Sequence, residues 1–207
     1  MIRAEGKVKE EKTAVYIQTM ETPLGRMIAC SDGSGLSGLY FSKQSHFPEG
    51  LLTIGTEAEL PVFEETREWL REYFAERIPE QMPALCPKGS TYQLRVWDRL
   101  RTIPYGETVS YQTIAELARE GNGPCSAQAA AQAISRNPIS LLVPCHRVIG
   151  KDGQLRGYAG GLSRKAFLLE LEKRVKQKGK SFDSSGSDGT ETFRSARLCC
   201  GKKKMAD

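Results

Sequence analysis

The chain has 207 residues, 39% of them apolar, and a formal net charge of +5, enough for one or two domains with a buried core. No stretch reaches the roughly 18 apolar residues of a membrane span, and the charged start, Met1 to Lys12, lacks an apolar signal core. Neither export nor membrane insertion is expected, so the protein reads as cytoplasmic if prokaryotic and nuclear if eukaryotic. Charge divides unevenly: residues 1–90 carry a net −4, residues 91–180 a net +8 and residues 181–207 a net +1. A basic second half beside an acidic first half suits a polyanion, although a solvated basic surface has the same composition.

The first half reads as strands followed by a helix. Val15 to Thr19 alternates, and Thr22-Pro23-Leu24-Gly25 makes a turn. Arg26 to Cys30 is the next strand, the turn Ser31–Gly35 follows, and Leu36 to Phe41 is the third. Residues 43–60 show no period and read as loop. Phe63 to Arg77 carries one apolar stripe, with Val62, Phe63, Thr66, Trp69, Leu70, Tyr73 and Phe74, and Glu and Arg opposite, so it reads as an amphipathic helix ended by Pro79. Pro79 to Gly89, with three prolines, reads as the connection between halves.

The second half reads as helical, which makes the fold class α+β. Tyr92 to Leu100 is a helix with Val96, Trp97 and Leu100 on one side, and Pro104-Tyr105-Gly106 is a turn. Ser110 caps a helix through Arg119; after Gly121-Asn122-Gly123-Pro124, Ser126 caps another to Arg136. Two short helices so joined fit a helix-turn-helix or any helical hairpin. The second is alanine-rich, with Gln128, Gln132 and Ser135 on one face. Small side chains allow close backbone approach to a narrow minor groove, where little sequence is read; they equally serve to pack a helix on its neighbour. Ser163 to Lys176 reads as the last helix, with Phe167, Leu168 and Leu171 apolar, and residues 181–207, rich in Ser, Gly and charge, read as disordered. Lys202-Lys203-Lys204 is a weak basic patch in that tail. The first four of the six cysteines have no metal spacing, which implies reduced thiols; the adjacent Cys199-Cys200 pair fits a metal or redox feature as well as an incidental pair.

The chemistry concentrates at Pro144-Cys145-His146-Arg147-Val148, after an apolar run, Ile139 to Val143, that reads as a short buried strand. A lone cysteine most often packs inertly. A neighbouring imidazole instead promotes the thiolate, which is the nucleophile.

Three ordered blocks carry a resemblance: Ile103-Pro104-Tyr105-Gly106-Glu107-Thr108-Val109-Ser110-Tyr111, then Asn137-Pro138 with Pro144 to Val148, then Gly157-Tyr158-Ala159-Gly160-Gly161-Leu162. The chain resembles the 6-O-alkylguanine-DNA alkyltransferases from about Thr91 to Lys173, less so before, and not after about Lys180. The resemblance implies a ribonuclease-H-like domain over 1–88 and a DNA-binding and catalytic domain over 89–176, which leaves 177–207 as the tail that composition reads as disordered. It implies a monomer that binds double-stranded DNA containing 6-O-alkylguanine by a minor-groove helix-turn-helix, flips the base and moves its alkyl group irreversibly to Cys145 without a cofactor. In this reading His146 is the base, acting through a water, Glu172 orients it, and Asn137 holds the active-site turn. Tyr111 donates to the guanine, carbonyls of Cys145 and Val148 accept from its amine, the Ala159 amide donates to oxygen 6, and Tyr158 walls the pocket. Lys165 either nears the leaving guanine or is a solvated helix-start lysine. DNA contacts fall on Gln93, Gln112, Ala127, Gln128, Ala129 and Lys151. Many members place an arginine where Gln128 stands. Some bind zinc in the N-terminal domain, but with only His46 and His146 available no zinc is expected here. Binding-only relatives replace the cysteine with tryptophan, and Cys145 is retained. A lesion binder that recruits other factors, a thiol hydrolase and a helix-turn-helix regulator are the rival readings.

Overall fold

A computed structural model of the protein describes residues 14–121, 123 and 125–183. In the first half, β1 (Tyr16–Met20), β2 (Met27–Ser31) and β3 (Leu36–Phe41) form an antiparallel meander. β2 lies in the middle and all five of its residues are buried, because the sheet is covered on both faces. Met27, Ala29, Leu36, Leu39 and Phe41 face the main core, while Ile17, Ile28, Cys30 and Leu51 form a smaller cluster on the other side.

Residues 43–60 are not all loop. Leu51–Ile54 form the single-turn α1, and Thr56–Glu57 form β4, which pairs parallel with β1 and makes the sheet mixed, in the order β3-β2-β1-β4. Two residues carry no alternation; the pairing is specified by the main-chain bond Thr56 N–H to Val15 O at 2.9 Å. α2 (Pro61–Phe74) begins earlier and ends earlier than Phe63 to Arg77. Proline at its first position fits, since that N–H has no helical partner, and Glu76 at φ 57° turns the chain out before Pro79. The connection that follows is stitched to β3 by Leu36 N–H to Ala84 O (2.7 Å) and Cys86 N–H to Leu36 O (2.8 Å).

The second half comprises α3 (Thr91–Arg101), β5 (Val109–Ser110), α4 (Tyr111–Leu117), α5 (Ala127–Ser135), β6 (Val148–Ile149) and α6 (Leu162–Asp183). Its caps are those expected: Ser110 and Ser126 accept from the backbone N–H of Thr113 and Ala129. Trp97 of α3 donates its indole N–H to Ala133 O of α5 at 2.9 Å. The α5 alanines divide between the two readings: Ala130 and Ala133 are buried, whereas Gln128, Ala129 and Gln132 are exposed. Asn122 and Pro124 of the α4–α5 connection lie outside the described residues.

Two further corrections concern the end of the chain. α6 continues past Lys176 to Asp183, so residues 177–183 are helix rather than tail; the rest of the tail, with Cys199-Cys200 and Lys202-Lys203-Lys204, lies outside the described residues. Along α6, Leu168 and Leu171 are buried but Phe167 is 41% exposed. One continuous apolar cluster joins β2 and β3, Trp69, Leu70 and Tyr73 of α2, Val96, Trp97 and Leu100 of α3, and Leu168 and Leu171 of α6. The two halves therefore share a core, and the site lies where they meet.

Candidate active site

Residues Ile139 to Val143 are not a strand. They make one isolated bridge, Leu39 with Ile139, and then coil through Leu141 at φ 72°. The segment is buried but surrounded by core on several sides, so it is apolar without being extended. Asn137 holds this coil. Its Oδ1 accepts from Ile139 N–H (3.0 Å); its Nδ2 donates to Val143 O (2.8 Å), Ile139 O (3.3 Å) and the Cys145 sulfur (3.2 Å). Cys145 opens a 3-10 turn, Cys145–Arg147. Adjacent side chains there are roughly 120° apart, at 3.0 residues per turn, not opposed as an extended chain would set them. Cys145 and His146 are separated for that reason, and Arg147 is carried inward with them.

All three meet α6. Glu172 is fully buried and its carboxylate is saturated. Oε1 accepts from His146 Nε2 (2.7 Å), Tyr73 Oη (2.8 Å) and Arg147 Nη2 (3.0 Å); Oε2 accepts from Arg147 Nε (2.8 Å) and Gly106 N–H (3.0 Å). Arg147 also donates to Ile103 O at 2.7 Å and lies over the Tyr105 ring at 5.2 Å. Gly106 reaches the carboxylate at φ 71°, a conformation that favours glycine; a Cβ there would lie 3.0 Å from Glu172 O. Glu172 is thus not a surface carboxylate, and its buried charge is compensated as a buried charge must be.

Protonation follows from this geometry. Burial opposes the charge on Glu172, but the hydrogen bond from His146 Nε2 and the charge and hydrogen bonds of the Arg147 guanidinium outweigh it and hold the carboxyl well below its usual range. Burial lowers the His146 pKa against the pull of Glu172. The imidazole is then neutral, with its proton on Nε2 facing the carboxylate and Nδ1 bearing a lone pair. Nδ1 is buried and finds no hydrogen-bond partner among the described residues, so it is the candidate base of the site. Burial pushes the Cys145 thiol up, and the Asn137 N–H and the Lys165 ammonium pull it back.

Lys165 is not solvated. It is fully buried, and its Nζ donates to Val148 O (2.6 Å), Arg156 O (2.6 Å) and Gly157 O (3.4 Å). Burial pulls its pKa down to about 8. Parallel pairing of Val109 with Val148 and Ser110 with Ile149 sets the start of α4 beside the cysteine turn. Tyr111 follows, and donates its hydroxyl to Arg156 O at 2.7 Å, reaching Gly157 O at 3.3 Å. Tyr158 presents its ring edge-on to His146, centroids 6.4 Å apart, and its hydroxyl is buried without a partner among the described residues. Ala159 O accepts from Ser45 N–H at 2.9 Å, while Arg164 ties Gly160 O (2.7 Å) to Leu24 O (2.9 Å) and lies over Phe41. The pocket loop 157–161 is therefore pinned by the first half of the chain.

Cys145, His146, Glu172, Asn137, Tyr111, Val148, Tyr158, Ala159 and Lys165 converge around one turn. The remaining predicted positions do not join them. Gln128, Ala129, Gln112 and Lys151 are exposed and Ala127 is half-buried; Gln112 bonds Glu116 at 2.9 Å on its own helix. Gln93 serves α3 itself, in a capping box with Ser90. Sequence reasoning missed Arg147 and Tyr73. Arg147 stands inside the quoted motif, where its charge beside a buried histidine was the available signal; Tyr73 was indistinguishable from the rest of an apolar helix stripe.

Comparison with known proteins bears on both halves. Residues 15–82 match the family model described as 6-O-methylguanine DNA methyltransferase, ribonuclease-like domain, and residues 91–174 match that of the DNA binding domain of the same family. A methylated-DNA–protein-cysteine methyltransferase of Mycobacterium leprae is 44% identical over 159 residues, covering 77% of this chain and 93% of the relative. A crystal structure of the Mycobacterium tuberculosis O6-methylguanine methyltransferase superposes with a TM-score of 0.69 at 40% identity, over 78% of this chain and 94% of that one. A structure of Mycobacterium tuberculosis OGT in complex with DNA gives 0.68 at 39% identity, over 77% and 94%. Both halves match, in order and over nearly the full length of these relatives, and the chain belongs to the 6-O-methylguanine DNA methyltransferase family.

Proposed function

We propose that this protein repairs DNA by taking the alkyl group from oxygen 6 of guanine onto its own cysteine, once and irreversibly, as a monomer. The observation that carries the reading is the buried thiol of Cys145, held by Asn137 at 3.2 Å and followed by a histidine whose free Nδ1 is backed by an ionised Glu172. The thiol proton passes through a bridging water to His146 Nδ1. The thiolate attacks the alkyl carbon, an S–C bond forms, the C–O bond breaks, and its electrons go to the guanine. The guanine takes up the proton that His146 held, returned through water, so the imidazole is neutral again and charge balances. The Ala159 N–H donates to the departing oxygen 6 and the Tyr111 hydroxyl turns from Arg156 O to donate to the ring, while the Lys165 charge beside Cys145 favours the thiolate. The thioether is stable and nothing in the site hydrolyses it, which makes the protein stoichiometric. Flipping the nucleotide costs a few kcal/mol, and the exposed α5 face at Gln128 and Ala129 is the surface that meets the duplex.

Intact mass followed by peptide mapping tests the reading, using a duplex with one 6-O-methylguanine. A one-to-one gain of a methyl group on Cys145 is expected. A bound duplex with no gain would establish the lesion-binding reading instead.

Gln128 lies in the first turn of α5 and is exposed. Gln128→Arg is expected to tighten duplex binding and to steepen its dependence on salt by about one counterion. It also places a cation at a helix N-terminus, at a stability cost of about 0.3–1 kcal/mol. Titrations of a fluorescent duplex at two or more salt concentrations measure the slope; an unchanged slope would remove residue 128 from the phosphate contacts.

A further inference from the structure

Five hydrogen bonds end on the Glu172 carboxylate. His146, Arg147 and Gly106 all belong to the second half of the chain. Tyr73 comes from α2, 99 residues away in sequence. Its phenol is fully buried. The ring is stacked on Trp69, with centroids 5.1 Å apart and planes 15° apart, and meets Tyr105 edge-on at 5.7 Å. Glu76, just beyond the end of α2, is paired with Arg174 and Lys178 of α6, so the helix carrying Tyr73 is moored to the helix carrying Glu172. This packing sets the phenol against the carboxylate, and it donates to Oε1, the oxygen that also accepts from His146 Nε2.

We propose that Tyr73 is a positioning residue of the proton relay, fixing the carboxylate oxygen on which His146 rests and restraining the basicity of that histidine. The inference deepens the transfer reading above and rests on it. A donor on a carboxylate oxygen disperses its negative charge. The carboxylate then stabilises an imidazolium less, and His146 stays neutral and able to accept the thiol proton. Other groups acting on His146 are the Glu172 charge and the Lys165 ammonium from α6, Arg147 from its own turn, Cys145 before it and the Tyr158 ring from the pocket loop. Tyr73 and Tyr105 act on it through Glu172. Burial and the Glu172 charge raise the Tyr73 pKa well above its ordinary value, so it remains a donor across the working range. The first half of the chain thereby enters the chemistry as well as the fold.

Two measurements on the full chain test this: the pH profile of single-turnover methyl transfer from a 6-O-methylguanine duplex, and an NMR titration of the His146 ring. Tyr73→Phe keeps the ring and deletes the hydroxyl. The acid limb of transfer and the His146 pKa are both expected to move up by about 0.5–1 pH unit. Trp69→Phe disturbs the stacked ring but makes no bond to Glu172, and is expected to lower stability without moving either midpoint. Replacing Tyr73 by 3,5-difluorotyrosine, a stronger donor of nearly the same shape, is expected to shift both midpoints down. A Tyr73→Phe protein that is less stable yet titrates like the parent would overturn the proposal and leave Tyr73 as packing. If the parent protein fails to accept methyl at any pH, the transfer reading falls, while the His146 titrations still decide whether Tyr73 sets its basicity.

Discussion

Cys145→Ala is expected to abolish methyl transfer while duplex affinity stays within about twofold of the parent, because the thiol makes the reaction and other residues make the surface. The side chain is 5% exposed, and its removal deletes one sulfur atom and one hydrogen bond, from Asn137 Nδ2. Asn137 retains Val143 O and Ile139 on either side of the coil, so the turn stays anchored. A small buried truncation of this kind costs about 1 kcal/mol. The exposed α5 face at Gln128 and Ala129 does not involve the cysteine. Intact mass reads the transfer and a binding isotherm reads the affinity. Loss of both together would mean that the sulfur holds the turn, and that the bond to Asn137 is structural first.

The largest effect on stability is expected from Glu172→Gln. The change is nearly isosteric, yet it replaces an acceptor of five donors by a group with one acceptor oxygen. It also leaves the Arg147 guanidinium, 7% exposed as a residue, without a counter-charge. Breaking a buried pair by removing one partner costs about 3–5 kcal/mol, which lowers Tm by roughly 10 °C in a chain of this size. Transfer falls with it, since His146 loses the carboxylate that orients it. Chemical denaturation of parent and variant measures the loss. The double variant Glu172→Gln with Arg147→Met removes both charges and is expected to regain much of the stability without regaining transfer. A loss below about 1 kcal/mol in the single variant would show that Arg147 finds another partner.

The same cluster makes the protein acid-sensitive. Glu172 has a folded pKa below its ordinary value and His146 likewise. The unfolded chain therefore binds more protons than the folded one, first at the histidine as pH falls below about 6.5 and then at the carboxylate below about 4.5. Both contributions lower stability on acidification. Glu172→Gln removes the carboxylate step but also the charge that holds the His146 pKa up against burial, so the stability of the variant is expected to fall at least as steeply as that of the parent between pH 6.5 and pH 5, as denaturation at the two pH values measures.

Much of this protein was legible before any coordinates. The strands β1 to β3 stand where turns and alternation put them, and Ser110 and Ser126 cap the helices they were expected to cap, because caps and turns are local chemistry. The motif residues Asn137, Cys145 and His146 lie together, with Glu172 of α6 beside the histidine. Local pattern failed where partners are distant. Residues Ile139 to Val143 are apolar like a strand but coil, since burial on several sides demands apolar residues whatever the backbone does. β4 is two residues held by main-chain bonds to β1, and bonds of that kind leave no mark on side-chain choice. α6 runs past Lys176 among lysines that look like the start of a solvated tail.

The reaction-bearing segment, the division of charge and the order of elements are all written within short windows of residues. How the site is charged follows from long-range contacts alone. Lys165 is buried rather than solvated, Glu172 is the centre of a five-donor cage rather than a surface acid, and Tyr73 reaches it across 99 residues of chain. Protonation states depend on burial and on which charges lie within a few ångströms, and those distances exist only once both halves have closed on a common core.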